Sequence, residues 1–165
     1  MVTESTISNK KIWQILEQVT DPEVPVLTIT DLGIVRDVII NNSPSGDGGI
    51  EVIITPTYTG CPAMDMIAMN IKLALIENGY RNIKITSVLS PAWTTDWMSE
   101  EGKRKLKEYG IAAPDKKFTI AADGVECPLC NSHNTKLISE FGSTACKALY
   151  QCNDCKEPFD YFKCH

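Results

Sequence analysis

Cysteine is the residue with the most chemistry to offer in this chain, and six of the seven lie in residues 126–165. They run Cys127-Pro-Leu-Cys130, then Cys146, then Cys152-Asn-Asp-Cys155, then Cys164 beside His165. A C-x-x-C pair can turn two sulfurs toward one point, and two such pairs complete a tetrahedral four-sulfur site. Between Cys130 and Cys152 lie 21 residues, close to the spacing of a zinc ribbon. A segment this short buries too little apolar surface to fold without a staple. Cys127, Cys130, Cys152 and Cys155 are therefore expected to bind a structural metal, zinc ahead of others. Disulfides are the rival, but they need an oxidising compartment. Met1-Val-Thr-Glu-Ser-Thr shows no basic start followed by an apolar run, so no secretory signal is expected. An iron–sulfur cluster on the same thiolates stays open, because four cysteines suit either.

Cys146 and Cys164 exceed what one tetrahedral site needs. They read either as buried small residues or as exchangeable thiols that hold a second metal or a cluster in transit. His133, three residues past Cys130, is a substitute ligand in principle, but beside four cysteines it reads as a surface residue. Cys61 stands apart. Pro62 suits a first helical position, so Cys61 is expected at a helix N-terminus, where the dipole and the unsatisfied N–H groups favour thiolate. A buried cap with no chemistry is an equal reading of the same residue. Asp21, Glu23 and Asp31 lie in the preceding loops and can converge on that mouth as a supporting loop, although acids in turns are more often solvated or capping. With two histidines, both late in the chain, no Ser-His-Asp set is available. Gly46, Gly48 and Gly49 precede no helix, so no dinucleotide site is expected.

Positioning these thiols falls to a short run of elements. Ser8 or Asn9 can cap a helix whose Ile12, Ile15, Leu16 and Val19 share one face, ending at Asp21-Pro22. Residues 34–40 are rich in β-branched side chains, 41–49 (NNSPSGDGG) form a hairpin loop, and 50–55 return as a strand. A helix over 62–78 stops at Gly79. It is apolar almost all round, so it is expected to be largely buried. Residues 82–89 alternate as a third strand, which the crossover places parallel to the second. Ser99 or Asp96 caps a charged helix over 100–109, with Gly110 beyond it. The expected fold class is α+β: a small mixed sheet with helices on one side (helix-strand-strand-helix-strand-helix) plus a C-terminal zinc-ribbon-like subdomain. The expected division is 9–110, a linker over 111–125 with a short strand at Lys117 to Ala121, and 126–165.

Charge narrows the partners. The net charge is −5. Residues 1–125 carry 12 basic and 16 acidic side chains, and residues 126–165 carry 4 and 5. Phosphate neutralisation needs clustered Lys and Arg, so no nucleic acid is expected. No apolar run approaches the ~20 residues that span a bilayer. A cytoplasmic protein with protein partners is expected, and a homodimer stays open.

Three motifs, Asp21-Pro22-Glu23-Val-Pro, Thr30-Asp31-Leu32-Gly33-Ile-Val and Thr59-Gly60-Cys61-Pro62, resemble the metal–sulfur cluster biosynthesis domain family over roughly residues 9–110. Pro91-Ala-Trp-Thr-Thr-Asp-Trp-Met98, Phe141-Gly-Ser-Thr-Ala-Cys146-Lys-Ala-Leu-Tyr150 and Glu157-Pro-Phe-Asp-Tyr-Phe-Lys-Cys-His165 resemble the PaaD family, a class of subunits of the phenylacetyl-CoA epoxidase. The resemblance implies an α+β domain whose Cys61 takes part in iron–sulfur cluster handling, and a place in aerobic phenylacetate catabolism. It implies partners that supply a di-iron oxygenase and an iron–sulfur flavin reductase, and an accessory subunit that helps their iron centres mature. This chain has no paired Glu-x-x-His helices for a di-iron site, so it is not expected to run the oxygenation alone. An interaction subunit with no chemistry and a small iron–sulfur electron carrier are the alternatives.

Overall fold

The computed structural model describes residues 7–42, 48–114 and 124–163. The chain divides into two units, Met1–Trp93 and Thr94–His165.

In the first unit, helix α1 (Asn9–Leu16) buries Ile12, Ile15 and Leu16. It ends short of the expected stop at Asp21. Val19 stays buried beyond its end, held as Ile29 N–H donates to the Val19 carbonyl at 2.9 Å. Strands β1 (Val35–Asn41) and β2 (Gly49–Ile54) pair antiparallel. The stretch Val35-Arg-Asp-Val38 does not alternate, yet Val35 and Val38 are both buried. A register shift between Val35 and Asp37 explains it: Val35 faces Ile54 and Val38 faces Val52. The one extra residue of a bulge turns both valines to the core. Helix α2 (Ala63–Glu77) then crosses to β3 (Ile83–Ser87), which runs parallel to β2 as the crossover requires. The sheet order is β1-β2-β3. Helix α1 packs on β1, α2 on β3, and the two helices on each other.

Helix α2 is not largely buried. Ala63, Ile67, Ile71 and Leu75 face the core, but Met66, Met69, Leu73 and Ile76 are 53%, 56%, 48% and 50% exposed. A three-stranded sheet and one short helix cover a single face of a helix, so apolar composition alone did not decide its burial. Asp21 and Asp31, both buried, shape the loop between α1 and β1. The Asp21 carboxylate accepts the N–H groups of Glu23 (2.7 Å) and Val24 (3.0 Å). Asp31 accepts the N–H of Thr28 at 3.1 Å and returns its own N–H to the Thr28 hydroxyl at 3.0 Å. Trp93 is buried and donates its indole N–H to the Leu32 carbonyl at 2.7 Å.

The second unit opens with a 3₁₀ turn (Thr95–Trp97) and α3 (Glu100–Glu108). Ser99 caps α3, its hydroxyl accepting Gly102 N–H at 2.9 Å. Gly110 follows with φ 86°. A second sheet contains β4 (Ile111–Ala112), β5 (Thr135–Ser139), β6 (Lys147–Cys152) and β7 (Pro158–Phe162) in the order β4-β7-β6-β5. Ile111 and Ala112, expected to open a linker, instead form a strand parallel to β7. With it α3, expected in the first domain, falls in the second unit. The expected strand at Lys117 to Ala121 lies outside the described residues. Ala112, Val125, Cys127, Ala148, Cys152, Phe159 and Tyr161 make one buried cluster. Tyr150 stacks on Phe159 at 6.0 Å and meets Tyr161 edge-on at 5.7 Å. The α+β class expected from the sequence, with its cysteine-rich C-terminal part, is the class observed.

Candidate metal centre

Two knuckles build the site. In each, a C-x-x-C turn ends on a residue in the left-handed region: Asn131 (φ 60°) after Cys130, and Lys156 (φ 68°) after Cys155. Asn tolerates that conformation, whereas for Lys it costs about 1 kcal/mol or more. Backbone hydrogen bonds close the first turn: Asn131 N–H to the Cys127 carbonyl and Cys127 N–H to the Ser132 carbonyl, both at 2.9 Å. The second is closed by Cys152 N–H to the Glu157 carbonyl at 3.0 Å.

The knuckles face each other, and the sulfurs of Cys127, Cys130, Cys152 and Cys155 all lie within 4.8 Å of one another. The near contacts run between the knuckles, Cys127 to Cys155 at 3.8 Å and Cys130 to Cys152 at 3.6 Å. These separations are far longer than the ~2.05 Å of a disulfide. They match the ~3.8 Å edge of a tetrahedron with metal–sulfur bonds of about 2.3 Å. Among the described residues no other three or more His, Cys, Asp or Glu side chains converge in this way. The donor set fits a tetrahedral, thiophilic ion.

The free thiols are electrostatically uneven. N–H groups of Cys155 and Asp154 and the neighbouring sulfurs lower Cys152 to about 7 against the cost of burial. At Cys130 the Ser132 N–H pulls down, but desolvation and the other three sulfurs prevail and raise it to about 12. Cys155 is also raised: the Glu157 N–H lowers it, and desolvation with Cys152 outweighs that. Four sulfurs this close cannot all ionise without a cation among them. Cys127 and Cys152 sit in the core at 0% exposure, Cys155 packs partly against it, and Cys130 is exposed.

A polar network flanks the site. Asp154, between the two cysteines of the second knuckle, accepts from the Ser132 hydroxyl and from Asn134 Nδ2 at 2.9 Å. Asn153 donates its N–H to the Asn134 carbonyl at 2.8 Å and its Nδ2 to Asn134 Oδ1 at 2.9 Å. None of these residues was singled out from the sequence. The signal available was their place, inside or directly after a knuckle. His133 is not in the cluster; its Nδ1 lies 3.2 Å from the Gly124 carbonyl.

Cys61 is half-buried in the bend between β2 and α2. Pro62 takes the cap position and not the first helical one, so Cys61 precedes the helix by two residues. Gly60 before it has φ 80° with no atom within 4 Å of where a Cβ would stand, a conformation that suits glycine. Asp21 and Asp31, expected to support Cys61, direct carboxylate oxygens to backbone N–H groups of their own loop, and Glu23 stands in the Asp21 turn. Cys146 is buried at 4% exposure, its sulfur 2.9 Å from the Thr144 hydroxyl. Cys164 lies outside the described residues. No helix among the described residues is long and apolar enough to cross a membrane.

Comparison with known proteins places both halves. Residues 112–163 match the family described as "PaaD zinc beta ribbon domain", and residues 9–80 match "Iron-sulfur cluster assembly protein". The chain is 51% identical over 156 residues to an Escherichia coli protein named as a putative D-type component of 1,2-phenylacetyl-CoA epoxidase, covering 93% of this chain and 92% of that one. It is 33% identical to a "Fe-S protein maturation auxiliary factor" of Porphyromonas gingivalis, over 64% of this chain and 97% of the relative. A crystal structure of a domain of unknown function (DUF59) from Bacillus anthracis superposes with a TM-score of 0.52 at 30% identity, over 59% of this chain and 89% of that one. An identity of this level, sustained across nearly the full length of both chains, shows that this chain belongs to the PaaD family of phenylacetyl-CoA epoxidase subunits.

Proposed function

We propose that this protein is an accessory subunit of a phenylacetyl-CoA epoxidase system that helps iron or iron–sulfur centres assemble in its partner subunits. The carrying observation is the second thiol position: Cys61, half-exposed where β2 hands over to α2, inside the stretch that matches an iron–sulfur assembly family. The relatives named as Fe-S maturation factors support the same reading. Cys127, Cys130, Cys152 and Cys155 hold zinc, which supplies a fixed tetrahedral crosslink and no redox step. The second unit is then a rigid module for meeting other subunits, an oxygenase and a reductase.

Iron or a small cluster is the cargo. Cys61 thiolate binds an iron of the cargo, and a thiolate of the recipient replaces it. One iron–sulfur bond breaks as another forms, the proton leaving the recipient thiol returns to Cys61, and no electron changes place. Cys146 is buried against Thr144, which supports the packing reading of that residue over the exchange one.

The test is Cys61→Ser, co-expressed with the partner subunits. Iron content of the reductase or oxygenase should fall while this protein keeps its fold; unchanged partner iron refutes the role. The chain purified without oxygen should contain zinc and lack a visible band, whereas brown protein with a permanent cluster favours an electron carrier.

A further inference from the structure

We propose that Asp154 is a positioning residue whose carboxylate latches the two knuckles together and sets how slowly the four-sulfur site surrenders its metal. This rests on the reading that Cys127, Cys130, Cys152 and Cys155 are metal ligands.

The site is lopsided. Cys127 and Cys152 are fixed in the core, and Cys155 packs partly against it. Cys130 is exposed and belongs to the knuckle that must swing away for the site to open. The backbone bonds of that knuckle, Asn131 to Cys127 and Cys127 to Ser132, are internal to it and move with it. What opposes the swing are bonds that run from one knuckle to the other. Asp154 Oδ2 accepts the Ser132 hydroxyl proton and Oδ1 accepts Asn134 Nδ2–H at 2.9 Å. The Ser132 oxygen meanwhile accepts Asn134 N–H at 3.0 Å, so the chain directly after Cys130 is tied to one carboxylate at two points. Asn153 adds two neutral bonds to Asn134. The two bonds to Asp154 are charge-assisted and so the stronger half of the latch. Hydrogen-bonded groups around a metal hold its ligands in place, and removing one typically changes metal affinity by roughly 10- to 100-fold.

The experiment uses the full chain loaded with zinc, challenged with excess 4-(2-pyridylazo)resorcinol. Asp154→Ala should release zinc about tenfold faster than the parent. Asp154→Asn should fall between, because its amide oxygen still accepts from Asn134. Ser132→Ala should speed release as well, and combined with Asp154→Ala should add little, since both remove one bond. Pulsed alkylation separates a latch from a general loss of fold: in Asp154→Ala, Cys130 should label early while Cys127 and Cys152 keep their protection. Parental release rates in Asp154→Ala, or four cysteines labelled together, overturn the proposal. Should Asp154→Ala fail to fold, parental rates in both Ser132→Ala and Asn134→Ala overturn it equally. If the parent chain takes up no zinc, the ligand reading falls first and this one with it.

Discussion

Removing the metal should unfold the second unit and leave the first intact. Two of the seven residues in its buried cluster, Cys127 and Cys152, are themselves ligands, so an empty site puts unbalanced thiols at the centre of the core. The unit spans 72 residues, from Thr94 to His165. At about 0.05–0.15 kcal/mol per residue its stability is about 4–10 kcal/mol. Structural zinc contributes about 10–16 kcal/mol of apparent binding energy near neutral pH, coupled to folding. The second figure exceeds the first, so the metal-free sheet should be at or below the folding threshold. Amide exchange reads this unit by unit. On chelation, the ladder amides of β6 and β7, around Leu149, Gln151 and Tyr161, should lose about three to seven orders of magnitude of protection, at 1.4 kcal/mol per decade. Amides of Val52 and Ile54 in β2 should keep theirs. A chelated protein with protected β6 amides would refute the view that the ion holds this sheet together.

Three further outcomes follow from particular groups. Zinc uptake should release about one more proton per ion at pH 6 than at pH 8: free Cys152, lowered to about 7, is ionised at the higher pH and protonated at the lower, whereas Cys130, raised to about 12, yields a proton at both. Affinity therefore falls more steeply with acid below pH 7, and calorimetry in buffers of different ionisation enthalpy measures the count; a constant count contradicts it. Trp93→Phe should destabilise the first unit by about 1–3 kcal/mol, because the buried Leu32 carbonyl loses its 2.7 Å donor, with the urea midpoint of Trp13 fluorescence as the check. Thr55→Val should raise stability by about 1 kcal/mol, since the Thr55 hydroxyl is buried with no hydrogen-bond partner; a lowered urea midpoint would show that the hydroxyl is used.

How far these features could be read from sequence depended on how local each one is. A knuckle is a four-residue device, so Cys127–Cys130 and Cys152–Cys155 announced themselves by spacing. Strand β3 lies parallel to β2 because a crossover helix permits little else. Burial of α2 was illegible for the opposite reason. Its apolar residues go all the way round, and only the number of elements packed on it leaves Met66, Met69, Leu73 and Ile76 outside. Strand β4 has two residues, too few for any period to show, and its parallel pairing with β7 is a contact across almost fifty positions. The carboxylates of Asp21 and Asp31 looked like chemistry because acids near a thiol often are. Their oxygens accept N–H groups two and three residues away, a use that leaves no mark on composition.

The same contrast separates the two classes of cysteine. Cys127 and Cys152 are core residues and ligands at once, so replacing either removes a metal bond and opens the cluster of Val125, Phe159 and Tyr161 in one stroke. Structure and ion cannot be lost one without the other there. Cys61 stands before α2 and outside the stripe of Ala63, Ile67, Ile71 and Leu75 that fixes that helix to its sheet. Its side chain therefore serves no packing role that serine would forfeit at more than modest cost. A protein meant to hand over an ion needs such a division. The sulfur that must let go is placed where release leaves the fold unchanged, and the sulfurs that must hold are built into the fold itself.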